Sequence, residues 1–159
     1  MARLYGRARR GQRATGAVPK NYGESLTLIG AIDRNGLVAT LIFRGATDTL
    51  AMKVFVKQVL LPALAAGDCV VWDNLAVHKT RLIRELFAEA GVELLFLPPY
   101  SPDLNPIELC WSKLKTYLRN VGARTYETLS EAISAAIKLI TASDARNWMR
   151  HCGYVSHLL

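Results

Sequence analysis

From Ser25 to Ile32 the chain runs Ser-Leu-Thr-Leu-Ile-Gly-Ala-Ile, an apolar stretch that predicts a β-strand. Asp33-Arg34-Asn35-Gly36 interrupts it with turn residues, and Leu37 to Phe43 resumes it, so residues 25–43 are expected to form a β-hairpin. A helical period then replaces the strand pattern. Ala51, Phe55, Val59 and Ala63 recur on one side, behind an N-cap expected at Thr47 with Asp48 in the first turn. Pro62 is expected to kink or end that helix. Asp68 to Trp72 reads as a buried strand, Lys79 to Ala90 as a helix with Leu82, Ile83, Leu86 and Phe87 inward, and Val92 to Leu97 as a second buried strand. Gly91 closes the helix between them.

Asn105-Pro106-Ile107-Glu108 has the residues of a helix start: Asn at the N-cap, Pro at the first helical position and Glu two further on. Ile107, Trp111, Leu114 and Leu118 form its apolar stripe, and Glu108, Ser112 and Lys115 share a flanking face. Thr125 opens another helix with Leu129, Ile133, Ile137 and Ile140 inward, and Ser143 is expected to cap a last one carrying Trp148. The order is β-β-α-β-α-β-α-α-α. Alternating strands and helices require a parallel part of a sheet covered by helices, and the hairpin adds an antiparallel part. The fold class expected is therefore α/β, a mixed sheet flanked by helices.

Composition narrows the class. With 159 residues, 51% hydrophobic and 21% charged, the chain suits one globular domain and not a disordered one. No apolar run reaches membrane-spanning length, and no apolar segment follows the basic N-terminus as a signal peptide requires. Cys69, Cys110 and Cys152 are odd in number and widely spaced, which points to buried thiols in a reducing compartment. The net charge of +7 is concentrated in residues 1–20, where Arg3, Arg7, Arg9, Arg10, Arg13 and Lys20 occur without a single acid. A basic arm, residues 1–22, on a nearly neutral body, residues 23–159, suits a polyanion; the plainer alternative is a solvated terminus.

The candidate chemistry lies in two carboxylates. Asp73 ends the strand Val70-Val71-Trp72, and Glu108 falls in the first turn of a later helix, with 34 residues between them. Ligands of α/β sheets bind at the carboxyl edge of the strands, where Asp73 is expected. Two carboxylates converging there suit a hard cation such as Mg²⁺ or Mn²⁺, and hence phosphate chemistry. Each acid has a structural alternative. Glu108 could complete a capping box with Asn105, and Asp73 could cap a turn. Asp33 reads as a hairpin-turn residue, Asp48 as a first-turn acid, and Asp103 as a residue ordering the Pro-rich loop. His78, five residues after Asp73, could approach the site or a phosphate, but reads first as a structural hydrogen-bond partner. Lys113, Lys115 and Arg119 could face DNA, although helix lysines are usually solvated.

Trp72-Asp73-Asn74-Leu75-Ala76-Val77-His78-Lys79, then Leu97-Pro98-Pro99-Tyr100-Ser101-Pro102-Asp103-Leu104-Asn105-Pro106-Ile107-Glu108, then Trp111-Ser112-Lys113-Leu114-Lys115 closely resemble the DDE transposases. The resemblance is to the bacterial insertion-sequence branch of the mariner-like superfamily. Arg3-Leu4-Tyr5-Gly6-Arg7 and His151-Cys152-Gly153-Tyr154 resemble it too, so the likeness covers nearly the whole chain.

The resemblance implies a ribonuclease H-like fold, DNA cleavage and strand transfer, Mg²⁺ or Mn²⁺ as cofactor, and a cytoplasmic protein whose partners are element ends and target DNA. It makes Asp73 and Glu108 the second and third catalytic and metal-binding acids. It places Arg3, Arg7, Arg9, Arg10, Arg13, Lys20, Lys79 and Lys115 at the DNA, and a homodimer is compatible with it. The family's first Asp lies on the first strand, in an Asp-Glu pair upstream of the Arg-Leu-Tyr-Gly-Arg segment, and no position here matches it. The chain is therefore expected to be an N-terminally truncated catalytic domain, inactive alone and completed by an upstream transposase fragment. The missing strand is central to that fold, so its neighbours are expected to show unpaired edges. The competing expectation is a non-catalytic nucleic-acid-binding or assembly remnant; a ribonuclease H-like nuclease with another substrate ranks third.

Overall fold

The structure is a computed structural model that describes residues 6–15 and 26–154. Arg3, Lys20 and the first residue of the expected hairpin, Ser25, lie outside the described residues. Residues 6–15 hold a single turn closed by Gln12 N–H donating to the Arg9 carbonyl at 2.9 Å.

The hairpin forms as expected, with β1 (Leu26–Asp33) antiparallel to β2 (Gly36–Arg44) and a register irregularity at Ala31/Ile32. Asp33 is a turn residue: its Oδ1 accepts from Asn35 N–H at 2.6 Å and Gly36 N–H at 3.1 Å. The helix that follows starts later than predicted. Asp48, not Thr47, is the N-cap of α1 (Thr49–Val54): its carboxylate accepts from Ala51 N–H at 2.7 Å. The rod continues as a π-helical segment, Phe55–Leu60, and ends in a 3₁₀ turn, Leu61–Ala63, that contains Pro62. The π segment changes the phase of the buried face. Met52, Phe55, Val56 and Leu60 are buried, whereas the expected Ala63 is exposed.

Two parallel strands come next: β3 (Cys69–Trp72) and β4 (Glu93–Phe96), in register from Cys69 opposite Glu93 to Trp72 opposite Phe96. A 3₁₀ turn, Ala76–Lys79, precedes α2 (Arg81–Glu89), so Lys79 lies outside the helix expected to begin there. Ile83 and Phe87 are fully buried, as the apolar stripe requires.

The remaining helices are α3 (Pro106–Val121), α4 (Tyr126–Lys138) and α5 (Ala142–His151). α3 ends at Gly122 in the left-handed conformation, φ 65°, which a glycine adopts without strain. Thr141, not Ser143, caps α5: its hydroxyl accepts from Asp144 N–H at 3.1 Å while Asp144 returns a bond to Thr141 N–H at 2.9 Å. That carboxylate also takes Lys113 Nζ at 2.6 Å, tying α5 to α3, and this hydrogen bond holds its pKa down at about 2.

The sheet differs from a single mixed one. Among the described residues β1–β2 and β3–β4 are separate two-stranded sheets, with no ladder between them. Hydrophobic packing links them instead. Met52, Phe55 and Val56 pack with Ile29, Ala31 and Leu41 of the hairpin and with Val70, Trp72 and Leu94 of the parallel pair. α3 and α5 pack on the hairpin, where Cys110, Leu114, Trp111 and Trp148 meet Leu28, Ile32 and Leu37. Trp111 lies so close to Gly30 that a Cβ there would stand 2.9 Å from its ring.

β3 and β4 are not the fully buried strands that their apolar runs predict. Exposure alternates along both, leaving Val71 and Leu95 open on one face. An apolar run is compatible with burial on two faces, but only the surrounding layers supply it.

Candidate active site

Asp73 follows β3 directly, at the carboxyl end of the parallel pair. Its Oδ1 accepts from Leu75 N–H at 3.1 Å and lies 2.6 Å from His78 Nδ1. That short contact runs off the line of the ring N–H, so it is a close polar contact and not a well-directed hydrogen bond. His78 is buried and stacked on Trp72, with ring centroids 4.3 Å apart and planes at 21°. Trp72 in turn meets Phe87 edge-on at 5.7 Å. The acid thus stands on a strand end braced by a stack that reaches the core. Asn74 Oδ1 and Thr80 Oγ1 are also buried without a partner among the described residues.

Burial holds the His78 imidazole below its ordinary pKa range, while the Asp73 carboxylate pulls the other way. The unfolded chain therefore takes up a proton at His78 that the folded chain resists. Stability contributed by the neutral ring is present above the unfolded pKa and is lost as pH falls below about 6.5. Thermal melts should show that loss, and His78→Asn should flatten it in the same window.

Glu108 occupies the first turn of α3 and is exposed. Asn105 holds the N-cap position but its side chain makes no capping bond, and the Glu108 carboxylate has no hydrogen bond or ion pair among the described residues. The capping-box alternative is thus not realised. The loop before α3 is ordered by other groups than Asp103. Ser101 Oγ donates to the Pro99 carbonyl at 3.4 Å, and Tyr154 Oη donates to the Leu104 carbonyl at 2.9 Å.

Both acids follow the carboxyl ends of adjacent strands, Asp73 after β3 and Glu108 after β4 through residues 97–105. All donors on offer are oxygens, and Asp73 Oδ2 and both Glu108 oxygens carry no bond among the described residues, a set that fits Mg²⁺ or Mn²⁺ better than Zn²⁺. Among the described residues no group of three His, Cys, Asp or Glu side chains converges on one point. A groove of about 560 Å³ between α3, α4 and α5, lined by Lys113, Tyr117, Asp144 and Trp148, includes neither acid.

The bases are spread out. Arg7, Arg9, Arg10 and Arg13 are all exposed. Lys79 is exposed with Nζ 5.9 Å from the Phe96 ring centre, and Arg84, which the sequence did not single out, stands 5.5 Å from the same ring. Lys115 is exposed on α3.

The element order, the parallel pair and the helices on the hairpin define an α/β domain of the ribonuclease H-like type. A family model described as DDE superfamily endonuclease matches residues 1–131, and the chain belongs to that family.

Among curated relatives, the transposase of transposable element Tcb2 from Caenorhabditis briggsae is 43% identical over 51 residues, 32% of this chain and 19% of that protein. The Tc3 transposase of Caenorhabditis elegans is 34% identical over 80 residues, 49% of this chain and 24% of the relative. The Tcb1 transposase of Caenorhabditis briggsae is 27% identical over 125 residues, 76% of this chain and 46% of the relative. The chain therefore spans less than half the length of these relatives. Solved structures agree on the fold. The Mos1 strand transfer complex superposes with a TM-score of 0.74 at 20% identity, over 94% of this chain and 45% of that one. The Mos1 transposase catalytic domain with Raltegravir and Mg superposes with a TM-score of 0.69 at 17% identity, over 82% and 71%. No helix among the described residues is long and apolar enough to cross a membrane.

Proposed function

We propose that this chain is the C-terminal part of a transposase catalytic domain that cleaves and joins DNA with Mg²⁺ or Mn²⁺, Asp73 and Glu108 holding the cation. The observation that carries the reading is the unpartnered Glu108 carboxylate, in a helix turn where a capping bond was available and is not made. Membership of the DDE endonuclease family supports it. Bound there, the cation supplies charge neutralisation and a more acidic water. The chain's own residues do the rest: Leu75 N–H holds the Asp73 carboxylate, His78 stands close against it, and the Pro98–Leu104 loop sets the start of α3. A third carboxylate is to come from an upstream fragment whose strand lies between β1 and β3 and joins the two half-sheets. The protein works in the cytoplasm on element ends and target DNA, as a homodimer, with residues 1–22 as a phosphate-binding arm and residues 23–159 as the body.

The arm gives the direct test. Four exposed arginines in residues 6–15, with Arg3 and Lys20 beside them in sequence, should dominate DNA affinity. Each phosphate neutralised adds about 0.9 to the slope of log affinity against log salt. Deleting residues 1–20 should remove most of the binding and flatten that slope, as read by fluorescence anisotropy. Equal binding by the shortened protein at low salt would transfer the DNA contact to the faces of Lys79, Arg84 and Lys115.

A further inference from the structure

Tyr100 combines three features that packing does not explain. Its side chain is fully exposed, at 101%. Its backbone has φ 58°, and no other described residue except glycine has a positive φ. Its ring and hydroxyl have no partner among the described residues. A bulky residue in the left-handed region is strained, and an aromatic ring left in water forfeits the burial that normally stabilises it. The loop nonetheless holds the ring outward, with Pro98 and Pro99 before it, Pro102 after it, and the Leu104 carbonyl pinned by Tyr154.

Leu75 is a second exposed apolar side chain, at 57%, on the loop leaving β3. Trp72 pairs with Phe96, so the two loops leave neighbouring strands at the same end, with Asp73 at the root of one. The charges nearby select the occupant. Asp73, Asp103 and Glu108 repel a bare phosphate, whereas Lys79 and Arg84, grouped at Phe96, attract the strand that carries it. What remains for an uncharged ring is an uncharged, flat, apolar face.

We infer that Tyr100, with Leu75, grips an unpaired nucleobase of the DNA beside the Asp73–Glu108 site. This rests on the DNA-processing reading above and names the part of the substrate that the loops recognise. A base stacks on an aromatic ring regardless of its identity, so the grip selects unstacked DNA and not a sequence. Leucine side chains serve as wedges between bases in the same way.

The test measures binding of the full chain to two DNA duplexes labelled alike, one blunt and one ending in a short single-stranded overhang. The chain should prefer the overhang. Tyr100→Ala should weaken overhang binding by about tenfold and leave blunt binding and the salt slope unchanged. Tyr100→Phe should keep the preference, and Leu75→Ser should reduce it. Tyr100→Gly separates strain from recognition: it should melt at the same temperature or higher, since glycine accepts the backbone, yet lose the preference. Unchanged overhang binding in Tyr100→Ala, or an equal loss on both duplexes, overturns the base grip and leaves the DNA reading standing. Failure of the unaltered chain to bind either duplex at low salt overturns both.

Discussion

Incubated with element-end DNA and Mg²⁺, the 159-residue chain is expected to leave the DNA intact, and to nick it once the segment preceding the Arg-Leu-Tyr-Gly-Arg motif in related transposases is fused or added as a separate chain. The reason lies in the sheet. β1–β2 and β3–β4 share the Met52–Phe55–Val56 layer but no ladder, and no third acid joins Asp73 and Glu108 among the described residues. A strand entering between the half-sheets would pair their edges and place its own carboxylate beside Asp73. A misplacement of about 1 Å can cost about a hundredfold in rate, so the third carboxylate has to be held firmly in the sheet. Rescue should exceed about a thousandfold over the chain alone, the scale expected when a metal-assisted site is completed. Hydrogen exchange at β1 and β3 should slow at the same time, as free edges become paired. Strong nicking by the unsupplemented chain, lost in Asp73→Asn, would refute the need for a third acid.

The second large effect concerns the two acids. In the complemented protein, Asp73→Asn and Glu108→Gln should each reduce nicking by about a thousandfold or more and abolish Mn²⁺ binding measured by calorimetry. The two substitutions should differ in stability. Glu108 has no partner among the described residues, so Glu108→Gln should melt like the unaltered protein. Asp73 accepts from Leu75 N–H and sits against His78, and asparagine keeps an acceptor there but no charge, so a modest loss is expected, up to about 1 kcal/mol. Mn²⁺ binding that is identical in the parent and both variants would remove the acids from the site.

The hairpin, the two parallel strands, the inward stripes of α2 and α3 and the positions of Asp73 and Glu108 were legible in the chain. These features rest on local rules: a two-residue or helical period of apolar side chains, turn residues at Asp33–Gly36, and the Asn-Pro helix start at residue 105. Helix starts were less legible. Asp48 outcompeted Thr47, and Thr141 outcompeted Ser143, because capping depends on which side-chain oxygen reaches a backbone N–H, and neighbouring residues offer similar groups. The buried face of the first helix was misplaced for a different reason, since nothing in Phe55–Leu60 announces a π turn.

By itself, then, the sequence determined most of the elements, the family resemblance and the choice of Asp73 and Glu108 as candidate acids, all of which are short-range or motif properties. The tertiary structure decided what surrounds them. It showed that the sheet is two halves held by side-chain packing, that one face of β3–β4 is open, and that His78 is buried against Trp72 and Asp73. It left Glu108 without the cap its sequence offered, and it turned Tyr100 outward on a strained backbone. The split sheet and its open face depend on contacts between residues far apart in the chain, and Tyr100 on a backbone angle that its loop imposes. The states of His78 and Glu108 depend on how near neighbours are oriented by the elements that carry them, which a local pattern does not encode.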